Sequence, residues 1–254
     1  MGNVKLAMVA AMSLTNGIGK DGGLPWRLKG EMAYFRSVTS HIPEEEKRRG
    51  ARNAVIMGRK TWVSIPPKFR PLAGRINIVI SRTSSATELG VNPESEDVKV
   101  FESIEKALAH LASPREGQAK IGRVFVIGGA QIYTDLLRLD TSSATVDKLL
   151  VTRILAPRYD CDAYFPEFRT VEQYMNEVAH ASKIIARQDM MKDTAESQDE
   201  PIGLLKEQEW TQASTDSLRQ YLGSSCPAAL LESPDMVTGE GETCYEYQLW
   251  EKTG

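Results

Sequence analysis

Four short apolar runs, each broken by glycine or a small polar group, constrain this chain more than any other feature. They are Val4 to Met12, Asn53 to Met57, Ile76 to Ile80 and Val124 to Ile127. Runs of this length, apolar at nearly every position, read as strands buried on both faces. Between them lie stretches with helical spacing, such as Ile104, Ala107, Leu108 and Leu111 or Gln131 to Leu137. Val98 to Phe101 and Lys148 to Ile154 add two further strands. Strands alternating with helical crossovers predict a three-layer α/β fold: a central mixed, mostly parallel sheet flanked by helices. The C-terminal third breaks the alternation. Val178 to Arg187 and Cys244 to Lys252 read as strands without a crossover helix, hence a C-terminal antiparallel hairpin. Between them Gln188 to Thr243 reads as polar and irregular, with a helix over Thr215 to Leu222 and a flexible charged excursion from Asp189 to Glu200. Glu44 to Arg49 reads as a solvated charged connection. The expectation is one domain over 1–254, with surface insertions at about 43–51 and 188–243.

Composition narrows the function classes. A net charge of -3 over 254 residues lacks the basic surplus of a nucleic-acid binder. The three cysteines, Cys161, Cys226 and Cys244, show neither zinc spacing nor a disulfide framework, which fits a reducing compartment. Val4 to Met12 resembles a signal-peptide core but lacks the basic flank and cleavage pattern. Met1-Gly2 suggests myristoylation, but Leu6 stands where Ser or Thr is needed. No apolar run reaches membrane-spanning length. The chain is expected to be soluble, cytoplasmic and monomeric, with a small-molecule substrate and neither nucleic-acid nor membrane partners.

The chemistry concentrates in Asn16 to Phe35. Gly17, Gly19, Gly22 and Gly23 make a loop, and Pro25 stiffens its exit. Leu28, Met32, Phe35 and Val38 then form one apolar stripe of a helix, and Glu31 falls on it. A carboxylate there is either turned to the rim, tied to a buried partner, or a functional acid with a raised pKa. Three further clusters follow strands: Gly58-Arg59-Lys60-Thr61, Ser81-Arg82-Thr83 and Gly128-Gly129-Ala130-Gln131. Ligands of open α/β sheets gather at such ends, where helix N-termini and glycines admit phosphate. Read singly, each is a tight turn or a solvated arginine; together they suit a dinucleotide with an extra phosphate, as in NADPH. The G-x-G-x-x-G fingerprint is absent. Arg75 reads either as a strand-edge surface residue or as a bidentate carboxylate clamp. Thr152, among aliphatics, needs a partner: a backbone carbonyl or a buried carboxylate such as Glu31. His41, His110 and His180 fall outside every cluster, and no Ser/His/Asp or metal-ligand constellation emerges.

These motifs resemble the dihydrofolate reductase family. The matching residues are Val9-Ala10-Ala11, Gly17-Ile18-Gly19 through Leu24-Pro25-Trp26, Glu31 to Phe35, Met57 to Trp62, Arg70-Pro71-Leu72 with Gly74-Arg75, Ser81-Arg82, Ile127-Gly128-Gly129, Tyr133, Val151-Thr152-Arg153 and Phe165-Pro166. They occur in the family's order over about residues 4–168, and Tyr245 to Lys252 resembles its last strand. The pattern is similar to eukaryotic, particularly fungal, members: Glu31 replaces the bacterial Asp, and Met32 the vertebrate Phe. The resemblance implies hydride transfer from NADPH to C6 of 7,8-dihydrofolate with protonation at N5, giving tetrahydrofolate for one-carbon metabolism.

Residue by residue, it implies that Glu31 binds the pterin and promotes protonation, directly or through water. Thr152 would hydrogen-bond Glu31, Trp26 would help hold a water, and Leu24 would cover the nicotinamide. Val9, Ala10, Met32, Phe35, Ser64, Ile65, Leu72, Ile127 and Tyr133 would line the folate pocket, and Arg75 would clamp the glutamate tail. Ala11 and Ile18 would meet the nicotinamide end of the cofactor, and Gly19, Gly23 and Ile127 would also bind the cofactor. Gly128, Gly129, Ala130, Gln131 and Ile132 would take the pyrophosphate, with an unusual cis peptide at the glycine pair. Gly58, Arg59, Lys60, Thr61, Ser81, Arg82 and Thr83 would bind the rest, the two arginines on the 2′-phosphate. The competing readings are an NADPH reductase of another heterocycle and a catalytically silent nucleotide-binding homologue.

Overall fold

A computed structural model describes residues 3–113, 120–139, 144–187, 209–226 and 236–253. In chain order the elements are β1 (Val4–Ser13), β2 (Gly17–Gly19), α1 (Lys29–Ser40), α2 (Glu44–Arg48), β3 (Arg52–Gly58), α3 (Arg59–Ser64), β4 (Arg75–Ile80), β5 (Val98–Phe101), α4 (Ile104–Ala112), β6 (Ile121–Val126), α5 (Ala130–Leu137), β7 (Ala144–Ala156), β8 (Ala163–Tyr164), α6 (Val171–Arg187), β9 (Trp210–Gln212), α7 (Thr215–Leu222), β10 (Val237–Glu240) and β11 (Thr243–Lys252). The sheet is mixed and mostly parallel, as the alternation predicts, with antiparallel C-terminal strands.

The chain divides into two compact units, and strands β1 and β7 contribute residues to both. The first unit holds Met1–Val9 and Phe35–Asp147. Its strands run in the order β1-β6-β3-β4-β5, all parallel. Every residue of β4 and five of seven in β3 are buried, the pattern of strands covered on both faces. Helix α4 begins at Ser103, whose side chain accepts the Lys106 N–H, and buries Ile104, Ala107, Leu108 and Leu111. The charged stretch after Pro43 is solvated as expected, with no buried residue, and Glu44–Arg48 of it forms the short helix α2.

The second unit holds Ala10–Tyr34 and Lys148–Gly254. Here β11 pairs antiparallel with β7 along one side, and β10 and β9 pair antiparallel with it along its length. The C-terminal hairpin is therefore β10–β11. The stretch Val178 to Arg187, expected as a strand, belongs to helix α6. Its buried positions are Tyr174, Glu177, Ala181, Ile184 and Ile185, the first four at a three- to four-residue spacing. Ala181, Ile184 and Ile185 pack on Leu155, Ala156 and Cys244. Of the expected irregular segment, β9, α7 and β10 are ordered elements, and α7 matches its expected span. Residues 188–208, including the charged excursion, lie outside the described residues.

Candidate active site

Helix α1 places Glu31 in its first turn, after Pro25 ends the glycine loop and the Leu28 carbonyl accepts the Met32 N–H at 3.1 Å. The buried face of this turn is Glu31, Tyr34 and Val38. Met32, expected on that face, is 50% exposed, because the helix is rotated to put Glu31 inward. Glu31 itself is 5% exposed. Thr152 Oγ1 in β7 lies 3.5 Å from Glu31 Oε1, a long hydrogen bond. The Tyr34 and Tyr247 rings pack tilted by 38°, 4.0 Å between centroids. Burial, reinforced by the negative charge of Glu240 and only partly offset by Thr152, raises the Glu31 pKa to about 7. The result is a carboxylic acid that holds its proton near neutrality and can donate it.

Trp26, two residues before Leu28, is buried with its indole edge on Tyr159. Its Nε1 has no hydrogen-bond partner among the described residues. The glycine loop is pinned at its start. Ser13 Oγ accepts the Gly17 N–H at 2.9 Å, and β2 pairs with β8. Lys20 binds Asp160 at 2.8 Å, and the Asp21 N–H donates to Asp162 at 2.8 Å. Ala10, Ala11 and Ile18 are half-buried and Gly19 buried, whereas Gly23 and Leu24 are exposed.

In the first unit, sheet register brings three strand ends level. Gly58 pairs with Ile80 and Ile56 with Val126, so Arg59, Ser81 and Gly128 emerge along one edge. The Gly58 N–H donates to the Gly128 carbonyl at 2.7 Å. Gly58 and Gly129 precede helices α3 and α5 without a side-chain cap. The Gly128–Gly129 peptide is cis, as the resemblance implies. A Cβ on Gly58 would crowd the Ile132 side chain at 3.1 Å, and Gly128 has φ +107°, a conformation that favours glycine. Arg59, Lys60, Arg82, Thr83 and Gln131 are exposed, Thr61 and Ala130 half-buried and Ser81 buried. Tyr133 reaches back from α5 to donate to the Val9 carbonyl at 2.7 Å.

Arg75 is no surface arginine. It is 4% exposed, its Nη1 donates to Thr39 Oγ1 at 2.5 Å and its Nε to the Ala73 carbonyl at 3.1 Å. The guanidinium lies 5.9 Å from the Phe35 ring centre. Burial, with Arg36 nearby, lowers its pKa to about 10, and no carboxylate pairs with it among the described residues. Asn77, buried in β4, holds the preceding loop through the Leu72 N–H and the carbonyls of Leu72 and Arg75. Ser64 is exposed at the end of α3, and Ile65, Leu72 and Ile127 are half-buried.

Residues 5–194 match the family described as dihydrofolate reductase, which is more than half of the chain. The chain belongs to the dihydrofolate reductase family. The dihydrofolate reductase of Cryptococcus neoformans is 42% identical over 179 residues, 64% of this chain and 74% of that protein. That of Heliothis virescens is 41% identical over 166 residues, covering 65% and 81% respectively. The Pneumocystis carinii enzyme is 40% identical over 170 residues, covering 66% and 77%. With fungal, insect and further eukaryotic relatives, the eukaryotic cast of the family motifs is shown.

Sequence reasoning missed several residues around Glu31. Tyr34 follows Glu31 by one helical turn, a signal that the Met32 stripe obscured. Tyr247 and Glu240 carry no local signal. Asn77 stood out only as a polar residue inside an apolar strand.

Proposed function

We propose that this chain reduces 7,8-dihydrofolate to 5,6,7,8-tetrahydrofolate with NADPH. The observation that carries the reading is Glu31, a buried carboxyl group that remains protonated to about pH 7. Thr152 supplies a hydroxyl for orienting it, and the buried, unpartnered indole N–H of Trp26 is suited to hold a water. NADPH, when bound, supplies a hydride to C6 of the pterin. The chain's part is to bind, orient and deliver a proton to N5, directly from Glu31 or through water; such acid assistance contributes roughly 10²–10⁴-fold.

The strand-end cluster fits this cofactor. Gly58 and Gly129 leave helix N-termini without side-chain caps, suited to the pyrophosphate, and Arg59 and Arg82 bring two cations for a 2′-phosphate. Leu24, exposed on the glycine loop, is suited to cover the nicotinamide, and Ala11 and Ile18 to flank it. On the folate side, Phe35, Ile65, Leu72 and Met32 offer apolar surface, and Arg75 offers a guanidinium already oriented by Thr39 and Ala73. Cysteines that are few, widely spaced and buried fit a reducing compartment such as the cytoplasm. No helix among the described residues is long and apolar enough to cross a membrane. We take the whole chain as one monomeric reductase domain, which light scattering tests.

The deciding experiment mixes the protein with NADPH and dihydrofolate, follows NADPH absorbance, and then adds methotrexate. Dihydrofolate-dependent oxidation that methotrexate stops supports the reading. NADPH binding without dihydrofolate-dependent oxidation overturns it and points to another heterocycle or to a silent nucleotide binder.

A further inference from the structure

Helix α1 starts without a local cap. Its preceding residue is Leu28, which offers no side-chain acceptor to the first-turn amides. The acceptor comes from β10 instead. Glu240 Oε2 takes the Lys29 N–H and Oε1 takes the Gly30 N–H, both at 2.6 Å. The Glu31 amide also donates to this carboxylate, and Tyr245 O–H donates to Oε1 at 2.7 Å. Gly30 makes the approach possible. A Cβ at that position would lie 2.8 Å from Glu240 Oε1 and 3.1 Å from the Tyr245 oxygen. Desolvation works to raise the Glu240 pKa, but the hydrogen bonds from Tyr245, Gly30, Lys29 and Glu31 outweigh it and hold it below the usual carboxylate range.

We propose that Glu240 is a positioning residue for Glu31: it fixes the turn that carries the acid and places a permanent negative charge beside it, so that Glu31 keeps its proton. The inference rests on the reading of Glu31 as the reductase's acid. The groups facing Glu31 are Thr152 from β7, Tyr247 from β11, Tyr34 on its own helix and Glu240 from β10. Thr152 carries no charge, and burial raises both tyrosines further from ionisation. Glu240 is therefore the member of this set that is charged at neutral pH, and removing it acts on Glu31 in one direction. Loss of a like charge favours ionisation, so the acid gives up its proton at lower pH.

The test compares the full chain with Glu240→Gln and Tyr245→Phe. Two readouts are taken: the pH dependence of single-turnover hydride transfer with NADPH and dihydrofolate, and the titration of the ¹³C-labelled Glu31 carboxyl by NMR. In Glu240→Gln the alkaline limb and the carboxyl titration move together to lower pH, by roughly 0.5–1 unit. Tyr245→Phe keeps the charge and removes one group that disperses it, so both readouts stay in place or move upward. If Glu240→Gln fails to fold, Gly30→Ala, whose methyl displaces the carboxylate, gives the same downward shift. An unmoved Glu31 titration in a folded Glu240→Gln or Gly30→Ala protein overturns the proposal. Absence of dihydrofolate turnover in the unaltered protein overturns the functional reading instead, because the NMR titration needs no turnover.

Discussion

Arg153 Nη1 donates to Asn16 Oδ1 at 2.8 Å across 137 residues of sequence, and to the Ser13 carbonyl at 2.7 Å. The arginine of β7 thereby holds the entry of the glycine loop. It is itself held by Glu177 of α6, whose other oxygen pairs with Arg169. Arg169 in turn binds Glu167 and the Leu14 carbonyl. Burial lowers the Arg153 pKa to about 10, against the pull of Glu177. A helix that the family motifs do not include thus carries the counter-charge for the loop that does.

Replacing Glu177 with Ala leaves two buried guanidiniums without their shared carboxylate. Breaking such a group from one side costs about 3–5 kcal/mol. Urea unfolding of Glu177→Ala checks this, and a loss below about 1 kcal/mol would show the network to be dispensable.

Glu31 makes stability fall with rising pH. Its pKa is 4.5 ordinarily and about 7 in the folded chain, so the folded state binds the extra proton between those values. Stability tied to that proton is fully present below the lower value and is lost as pH rises through the higher one. Glu31→Gln stays neutral throughout. Relative to the unaltered protein it should match at about pH 4 and gain on the order of 3 kcal/mol by pH 8, while turnover collapses. Thermal unfolding across that range decides the matter; a gain that does not vary with pH would refute the ionisation account.

Much of this was legible in the residues, and the failures have physical causes. Glu31 stands out by its place on an apolar stripe, although Met32 on that stripe is half exposed rather than part of the core. The stripe Tyr174, Glu177, Ala181, Ile184 was hidden because a buried carboxylate occupies one of its positions. Without Arg153 and Arg169 in view, a glutamate marks a wet face, and the β-branched run near Ile184 then reads as a strand. Glu240 could not be connected to Lys29 and Gly30, which lie more than 200 residues away. The one local trace was Gly30, a glycine within a helical turn that has no use for its flexibility.

Arg75 should govern substrate affinity more than rate. In the proposed folate site, replacing it with Leu removes the cation offered to the substrate's carboxylate and should raise the dihydrofolate KM roughly 100-fold, with a far smaller change in kcat. Thr39→Ala removes only the bond that orients the guanidinium and should raise KM several-fold. Steady-state kinetics on both variants test the pair; an unchanged KM for Arg75→Leu would place the folate tail elsewhere.

Arg59 and Arg82 should set cofactor choice. Each charge-assisted bond to a phosphate contributes about 1.5–3 kcal/mol, so Arg59→Ala and Arg82→Ala should each weaken NADPH binding about 10- to 100-fold. NADH, which lacks the extra phosphate, should be almost unaffected. Fluorescence titration with both cofactors measures the difference, and equal losses for the two would remove these arginines from the 2′-phosphate.

The cap that Glu240 places on α1 has a consequence in time. Residues 26–31 leave the ribosome long before β10 is synthesised, and until then the amides of Lys29, Gly30 and Glu31 have only water to satisfy them. The turn that carries the acid is secured by chain made much later, through contacts whose closure is slow because so much sequence intervenes. A nascent copy can therefore complete its parallel strands while the Glu31 turn is still uncapped. The turn is set when the β10–β11 hairpin docks.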